Sequence, residues 1–377
     1  MNLYRKILMT PPRPILLLVL LAAAVSLTGC NASSTHLAYV ALPQLNAVGA
    51  YRVNNHSARF TVLVGSPFPA GVSPSAVFVH PSNNFAYVAN QTGNNISLFK
   101  IDHNIGSLSE IFPRVNAGIT PVALAMNSDG SLLFALNQNS DSISVYSIDS
   151  GSGALKEIAG SPFATFSNPV AFALTKSGKF ICVANPDLAS ISVYSVASGG
   201  ALHLASTFQF DTDAIPFALA VDPSGKFVYA ANSNANTVSV LAINASSGVL
   251  TQVPNSPFAT DTNPISLALS SSGQFLYVAN QGSSSISGFS VDSSSGLLTP
   301  ITGSPFTGAN SPVLIVIDPN GNFLYAVSQS SMFLTVFSIT QGTTSNQTTS
   351  TAGALTTTVE SAETGAAASS LFVTTSD

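Results

Sequence analysis

The sequence predicts an all-β protein, a seven-bladed β-propeller built from four-stranded blades. The first observation is residues 216–250, which read as four apolar or alternating strands. The turn Asp222-Pro223-Ser224-Gly225 after the first of these has proline and glycine where a tight turn needs them. The second observation is that looser copies of this stretch recur along almost the whole chain. A repeat with four strands per copy and a period in the forties is typical of a propeller.

The repeat is regular when the second strand of each copy is aligned. One residue then occupies the same position in all seven copies, at steps of 47 or 48 residues: Tyr39, Tyr87, Phe134, Cys182, Tyr229, Tyr277 and Tyr325. Seven copies predict seven blades. Because one blade cannot bury enough apolar surface alone, residues 36–377 are expected to fold as a single ring.

The two ends of the chain predict how the ring closes. Residues from His36 onward supply the second, third and fourth strands of a first blade, but no first strand precedes them. Residues 370–377 match residues 76–83, which form an innermost strand of the repeat. The C-terminal strand is therefore predicted to complete the first blade and remove two exposed strand edges.

Three features are added to the basic repeat. Residues 341–353 enlarge a hairpin of the seventh blade, and residues 361–368 read as a small-residue linker to the closing strand. Four copies carry Ser-Pro-Phe after the fourth strand, where proline is expected to end the strand and phenylalanine to fill the wedge between blades. These motifs begin at Ser66, Ser161, Ser256 and Ser304.

The charge of the chain is low and acidic. It has 11 basic and 16 acidic residues among 377, and its net charge of -5 becomes -8 without Arg5, Lys6 and Arg13. A nucleic-acid-binding protein would show a basic patch, so nucleic acid is excluded as a partner.

The N-terminal segment resembles a bacterial lipoprotein signal. Basic residues precede an apolar run at residues 15–25, and Leu27-Thr28-Gly29-Cys30 follows. The run is short for a bilayer span, so residues 1–29 are predicted to be a cleaved signal and residues 30–35 a tether. Cys30 is the predicted lipidated residue; the alternative is an ordinary signal peptide. Because Asn31 is not aspartate, the predicted location is the outer membrane or the periplasmic face of the envelope.

The resemblance to a known family is carried by Tyr87-Val88-Ala89-Asn90 and Tyr277-Val278-Ala279-Asn280. These runs resemble YVTN-type repeats, and the chain from about His36 to its end is similar to the seven-bladed lactonase family that includes 6-phosphogluconolactonase. The resemblance implies a propeller fold and, as one function, hydrolysis of a lactone.

The catalytic residues implied by this resemblance are not matched. The lactonases carry an Arg-His pair entering an innermost strand and a Glu just after the Asn that ends the next strand. In residues 216–250 those positions hold Phe217 and Ala218, and Ser233 follows Asn232. Other blades offer apolar or small pairs: Val122 and Ala123, Val170 and Ala171, and Ile265 and Ser266.

Strand direction assigns charged residues to the two faces of the ring. If first strands run downward from the top, the connections between blades and the loops after second strands share the top face. That face is then predicted to be acidic, with Arg114 as a single basic residue, whereas Lys176, Lys179 and Lys226 lie opposite. This distribution disfavours a phosphorylated substrate, which needs Arg or Lys donors.

Two candidate sites lie on the predicted top face. Amides that end second strands are a candidate polar rim for an uncharged sugar or peptide, although asparagine also recurs at strand ends for turn geometry: Asn90, Asn137, Asn185, Asn232 and Asn280. Four carboxylates are candidate Ca²⁺ ligands, with simple solvation as the alternative: Asp187, Asp211, Asp213 and Asp261.

Other reactive groups carry no site. The five histidines lie in different blades without metal-ligand spacing, and Cys182 falls mid-strand, as a buried apolar residue would. The sequence therefore favours a lipid-anchored, monomeric binding or scaffolding module for an envelope protein, a peptide or an uncharged glycan. The alternative is a 6-phosphogluconolactonase-like lactone hydrolase.

Overall fold

A computed structural model describes residues 35–210, 214–328, 331–342 and 351–374, with only the backbone of residues 359–362. The repeat appears in it as seven antiparallel sheets. In the first four blades the chain-ordered strands are β1 (Thr35–Leu42), β2 (Ala47–Asn54), β3 (Phe60–Val62), β4 (Phe68–Pro69), β5 (Pro74–Val79), β6 (Phe85–Asn90), β7 (Asn95–Ile101), β8 (Leu108–Asn116), β9 (Pro121–Met126), β10 (Leu132–Asn137), β11 (Ser142–Ile148), β12 (Leu155–Glu157), β13 (Phe163–Ala164), β14 (Ala171–Leu174), β15 (Phe180–Asn185), β16 (Ser190–Val196) and β17 (Leu202–Gln209).

The remaining strands form blades 5 to 7 and close the ring. They are β18 (Pro216–Val221), β19 (Phe227–Asn232), β20 (Thr237–Ile243), β21 (Leu250–Gln252), β22 (Phe258–Ala259), β23 (Pro264–Leu269), β24 (Phe275–Asn280), β25 (Ser285–Val291), β26 (Leu298–Pro300), β27 (Phe306–Thr307), β28 (Pro312–Ile317), β29 (Phe323–Ser328), β30 (Phe333–Ile339), β31 (Leu355–Glu363) and β32 (Ser370–Val373).

The C-terminal strand closes the ring as predicted. Blade 1 has the order β3-β2-β1-β32, so its innermost strand comes from the end of the chain. Tyr39 of β1 pairs with Phe372 of β32, and β32 packs beside the inner strands of blades 2 and 7. The prediction of a seven-bladed propeller closed by its C-terminal strand is confirmed.

The Ser-Pro-Phe motif does more than end the fourth strand. In each of four blades its phenylalanine begins a short fifth strand, which pairs with the far end of the third strand: β4, β13, β22 and β27. The serine hydroxyl fills the gap in the ladder by accepting a hydrogen bond from the third strand, as from Ala50 N to Ser66 Oγ at 2.9 Å. The motif therefore bends the outer edge and keeps its backbone partnered, which shortens the exposed edge strand.

In blades 1, 2 and 6 the second-strand tyrosine links neighbouring blades. Its hydroxyl donates to a glycine carbonyl in the lower hairpin of the next blade, from Tyr39 to Gly106 at 3.0 Å, Tyr87 to Gly153 at 2.8 Å and Tyr277 to Gly353 at 2.7 Å. Gly153 has a φ of +71°, and a Cβ there would lie 2.6 Å from the ring of Phe85, so the approach requires glycine.

Blade 4 has no tyrosine at this position and supplies another donor. Cys182 occupies the tyrosine position, is fully buried, and has its pKa raised to about 12 by burial. The equivalent carbonyl, that of Gly248 in blade 5, instead accepts a hydrogen bond from Ser206 Oγ at 2.8 Å.

We expect Tyr87→Phe to lower the free energy of unfolding by about 1 to 3 kcal/mol, because it leaves the Gly153 carbonyl without its inter-blade donor. Tyr229→Phe is the matched control: this hydroxyl is also buried but has no hydrogen-bond partner in the described chain. Denaturant unfolding measures both variants. Equal losses in the two would mean that the tyrosine link contributes nothing.

The linker predicted at residues 361–368 is not a plain connection. Strand β31 continues through Glu363, and Ala366 and Ala368 are buried. Tyr51 Oη donates to Thr364 O at 3.3 Å, which fixes the segment against blade 1. Small residues are present here because the chain passes between packed blades. Of the predicted enlarged hairpin, residues 343–350 lie outside the described residues.

Two single turns of 3₁₀ helix, Pro43–Leu45 and Pro186–Leu188, follow second strands. Within the described ranges, no helix has the length and apolar character needed to cross a bilayer.

Candidate functional site

The top face of the ring is formed as predicted from strand direction. The connections between blades lie against the loops that follow second strands. Their backbones join at each blade, as from Gln91 N to Ser73 O at 2.8 Å and from Gln138 N to Thr120 O at 2.9 Å. Inner strands begin here, so this face holds the mouth of the central channel.

The mouth is built from one residue at the start of each inner strand. In five blades this residue is a bulge opposite the second strand, a geometry that redirects its side chain. All seven are apolar or hydroxyl residues, and all except the half-buried Phe217 are buried: Ser75, Val122, Val170, Phe217, Ile265, Val313 and Ser369. These positions match the place of the lactonase Arg-His pair, so the mouth offers no ionisable group of its own there.

The predicted polar rim is wrong as a surface feature. All five asparagines are fully buried at the ends of second strands, so they do not reach the rim: Asn90, Asn137, Asn185, Asn232 and Asn280. Each amide donates to a hydroxyl of the adjoining third strand, as from Asn232 Nδ2 to Ser239 Oγ at 2.8 Å. These bonds from the amide nitrogens tie the second strand to the third within each of the five blades.

The structure shows a hydrogen-bond partner of Asp187 that was not predicted. Asn168, in the connection between blades 3 and 4, donates from Nδ2 to Asp187 Oδ1 at 3.2 Å and from its backbone N to Asp141 Oδ1 at 2.7 Å. Both aspartates are exposed at the top face. Two carboxylates therefore meet around Asn168, and this group is the candidate functional site.

Asp261 belongs to another place, between blades 5 and 6. Its Oδ2 accepts from Ser285 Oγ at 2.8 Å and its Oδ1 from Thr262 N at 3.0 Å. Burial acts to raise the pKa of Asp261, but hydrogen bonds from Ser285, Ser283 and Thr262 outweigh burial and lower it. Asp261 is thus held as a carboxylate by its own loop.

The predicted Ca²⁺ cluster does not assemble from the residues that can be placed. Asp187 and Asp261 have separate partners, and Asp211 and Asp213 lie outside the described residues. In the part of the chain that the structure describes, no group of three His, Cys, Asp or Glu side chains is placed to hold a metal ion. Cys30, the predicted lipidation site, also lies outside that part.

The basic residue assigned to the top face is neutralised. Arg114 lies on the outermost strand β8, where its Nε is 2.7 Å from Glu110 Oε1 and its guanidinium carbon 5.4 Å from the ring centre of Phe112. The Glu110 hydrogen bond raises the pKa of Arg114. A phosphate at the top face would therefore find this arginine already paired, whereas the carboxylates of Asp141 and Asp187 are exposed on that face.

The profile of one family covers most of the chain. The family described as "Lactonase, 7-bladed beta-propeller" matches residues 31–173, 157–266 and 253–361. The chain belongs to this family. No curated protein sequence matches it.

Solved structures share the lactonase propeller fold at low sequence identity. A putative 6-phosphogluconolactonase from Bacteroides uniformis superposes with a TM-score of 0.77 at 19% identity, covering 90% of this chain and 100% of that one. The periplasmic gluconolactonase of Pseudomonas aeruginosa superposes with a TM-score of 0.73 at 20% identity, covering 91% and 100%. At such identity the likeness concerns the fold.

The bond between Asp141 and Asn168 recurs at equivalent positions of other blades. Asn168 and Asp141 both have positive φ, 53° and 48°, and residues at equivalent loop positions are bonded in the same way in other blades. In blade 5, for example, Asn236 Oδ1 accepts a hydrogen bond from the backbone N of Asn263 in the connection to blade 6. The repeat therefore predicts that Asp141 meets Asn168, once the connection and the loop are known to be neighbours.

Proposed function

We propose that this lactonase-family propeller hydrolyses an uncharged lactone at its top face. Family membership supports the reaction class. The observation that carries the substrate class is the electrostatic character of the site: Asp141 and Asp187 meet at Asn168, while Arg114 is paired with Glu110. At contact distance a carboxylate repels a phosphate by a few kcal/mol at an effective dielectric near 20, whereas an uncharged sugar lactone pays no such penalty.

The proposed reaction is hydrolysis of the lactone ester bond by water. Water attacks the lactone carbonyl carbon, a base accepts the proton of the water, the ring C–O bond breaks, and the ring oxygen takes up a proton to become a hydroxyl. Asp187 is the proposed base, since one of its oxygens is held by Asn168 Nδ2 while its side chain is exposed. Asp141, held by the backbone of the same residue, orients the connection.

The substrate class agrees with one relative in particular. The Pseudomonas aeruginosa protein is named as a periplasmic gluconolactonase, which implies a sugar lactone without phosphate. The predicted lipoprotein signal supports a similar location for this chain, and we propose that it works as a lipid-anchored monomer at the cell envelope.

Purified chain beginning at Asn31 is expected to hydrolyse gluconolactone above the spontaneous rate and to leave 6-phosphogluconolactone at that rate. Asp187→Asn is expected to lower kcat by about a hundredfold, the usual contribution of a positioned base. Asp292→Asn, an exposed aspartate in the lower hairpin of blade 6, is the matched control and should retain full activity. A further variant replaces Asp211 and Asp213, which are predicted from strand direction to lie on the same face.

Turnover of the phosphorylated lactone that survives loss of Asp141 and Asp187 would contradict this assignment. The second candidate function is a binding module without catalysis. It is favoured by the mouth itself, because the positions of the family's Arg-His pair hold apolar residues such as Val122 and Val170. Absence of turnover on both lactones, with calorimetric binding of gluconolactone retained, would support the second candidate.

A further inference from the structure

Exposed apolar side chains are concentrated on two blades. Eight of the fourteen large apolar residues that are exposed in the described chain fall between Leu45 and Ile119, in blades 1 and 2 and their connections. Five of them lie along the outer strands or the lower hairpin of these blades, and we call this surface the blade 1–2 edge: Val62, Val64, Ile105, Ile111 and Phe112. Val64 is 90% exposed and Phe112 66%.

The repeat supplies an internal comparison for this surface. Val64 stands two residues after Val62, which pairs with Tyr51 of the third strand, and Phe112 stands two residues after Glu110, which pairs with Phe99. The pairings of blades 3, 5 and 6 identify the residues at the same position as Ala159, Pro254 and Thr302. Two adjacent blades thus expose large apolar groups where three others have a small or less apolar residue.

The chain segment that forms most of these two blades has a net positive charge, whereas the remainder of the protein has a net negative charge. Residues 31–116 hold Arg52, Arg59, Lys100 and Arg114 against Asp102 and Glu110, a net charge of +2. Residues 117–377 hold four lysines against fourteen acidic residues, a net charge of -10. The ring is therefore strongly polarised, with its positive side at the blade 1–2 edge.

Cations and apolar groups meet along the lower part of this edge. Arg52 Nη2 donates to Asn104 O at 3.4 Å, which bridges blade 1 to the hairpin of blade 2 next to Ile105. Arg59 is exposed in the lower hairpin of blade 1, and Lys100 is exposed on β7. Asp102 lies in the lower hairpin of blade 2, where its Oδ1 accepts hydrogen bonds from the backbone N of Asn104 and of Ile105.

We propose that the blade 1–2 edge docks the propeller on an anionic lipid surface. Apolar side chains that enter the interface and cations that meet lipid phosphates are the two components of peripheral membrane binding. The negatively charged remainder of the ring, including the top-face carboxylates, then faces away from the membrane.

The position of the chain's tether favours lipid over another partner. Thr35 pairs with Asn54, directly beside the hairpin that carries Arg59. The predicted lipidated Cys30 stands five residues earlier, and a chain of that length spans at most about 18 Å. The anchor would therefore hold this edge, and not the opposite side of the ring, against the bilayer. A cationic and apolar surface next to one anchor strengthens attachment, as a second membrane signal does.

Vesicle cosedimentation tests the proposal with the unlipidated chain from Asn31, which retains every described strand. Vesicles of phosphatidylglycerol and phosphatidylethanolamine are expected to bind the protein at least about tenfold more tightly than phosphatidylcholine vesicles, with binding falling as salt rises. Val64→Ser combined with Phe112→Ser should weaken binding by about tenfold, since both side chains are removed from the interface. Arg59→Glu combined with Lys100→Glu should also weaken binding by about tenfold, because the reversed charges repel the anionic lipids.

Leu204→Ser is the matched control, because Leu204 is 54% exposed on the outer strand of blade 4. It should bind vesicles like the unaltered chain, and thermal melts should show that all variants remain folded. Equal binding to anionic and neutral vesicles, or binding unchanged by both double variants, would overturn the proposal. Concentration-dependent dimers that the Val64 and Phe112 changes abolish, with no vesicle binding, would make this edge a self-association surface instead.

Discussion

Removal of residues 370–377 is expected to unfold or aggregate the protein, because it takes away the inner strand of blade 1. β32 pairs with residues Ala38 to Ala41 of β1 and contacts blade 2 on its other side. Phe372 packs on Phe78 of blade 2 with ring centres 5.1 Å apart, and Leu371 is 2% exposed.

The expected loss approaches the whole stability of a domain. About half a dozen backbone hydrogen bonds contribute roughly 1 kcal/mol each, burial of Leu371 and Val373 contributes roughly 1.5 to 3 kcal/mol per side chain, and the half-buried Phe372 adds to this. The total free energy of unfolding of a typical domain is only about 5 to 15 kcal/mol. The deletion also exposes the inner edge of β1 and leaves Val77 N without its acceptor, Ser370 Oγ, at 3.2 Å.

Thermal melting and light scattering of the truncated chain measure this effect. A shorter truncation after Thr374 is the control, since Thr374 Oγ1 accepts from Leu37 N at 3.1 Å and every residue of β32 is retained. An unchanged melting temperature in the longer truncation would show that blade 1 is stable without its inner strand.

Acidification is expected to weaken the fold through His36. This side chain is 2% exposed at the start of β1, and its Nε2 lies 3.0 Å from Nδ2 of Asn320 on the first turn of blade 7. Burial lowers the pKa of His36 from 6.5 to about 4. The folded protein thus excludes a proton that the unfolded chain binds, so stability is complete above pH 6.5 and is lost as the pH falls toward 4, by up to about 3 kcal/mol.

His36→Gln isolates this contribution. Burial raises the pKa of Asp318, which lies in the same turn as Asn320, so Asp318 acts with the opposite sign and stabilises the fold as the pH falls. Because Asp318 is present in both proteins, the informative quantity is the difference in unfolding free energy between pH 7 and pH 4.5, compared between the unaltered chain and the variant. The unfolding free energy of the variant should fall clearly less between these two pH values than that of the unaltered chain. Parallel losses in the two proteins would assign the acid sensitivity elsewhere.

Strand order and ring closure were predictable because they depend on spacing. The position shared by Tyr39, Tyr87 and Tyr325 recurs at nearly constant steps, and each of these residues pairs with the equivalent residue of the third strand. The C-terminal match required only that one copy of the repeat lacked its first strand. Periodicity of this kind is set by the backbone ladder, which a sequence records directly.

The burial of polar side chains and their hydrogen-bond partners were less predictable. Asn90 and its equivalents stand at strand ends, where the sequence allows either a rim or a buried bridge, and burial is decided by the connection that covers them. Gly71 illustrates this, since a Cβ there would meet Asn90 Cγ at well under contact distance. Likewise the positions of the loops predict that Asp187 joins Asp211, Asp213 and Asp261. The structure instead shows Asp187 and Asp141 both bonded to Asn168, an uncharged residue that charge patterning does not single out.

Blade 1 has a consequence for the order in which the protein is made. Its β1 is among the first strands to be synthesised, and the strand that completes it, β32, is the last. During synthesis the other six blades can acquire their strands in turn, but the inner edge of β1 stays open until β32 has been synthesised. Until then the nascent chain exists as an unclosed arc, and the channel mouth lacks its contribution from Ser369.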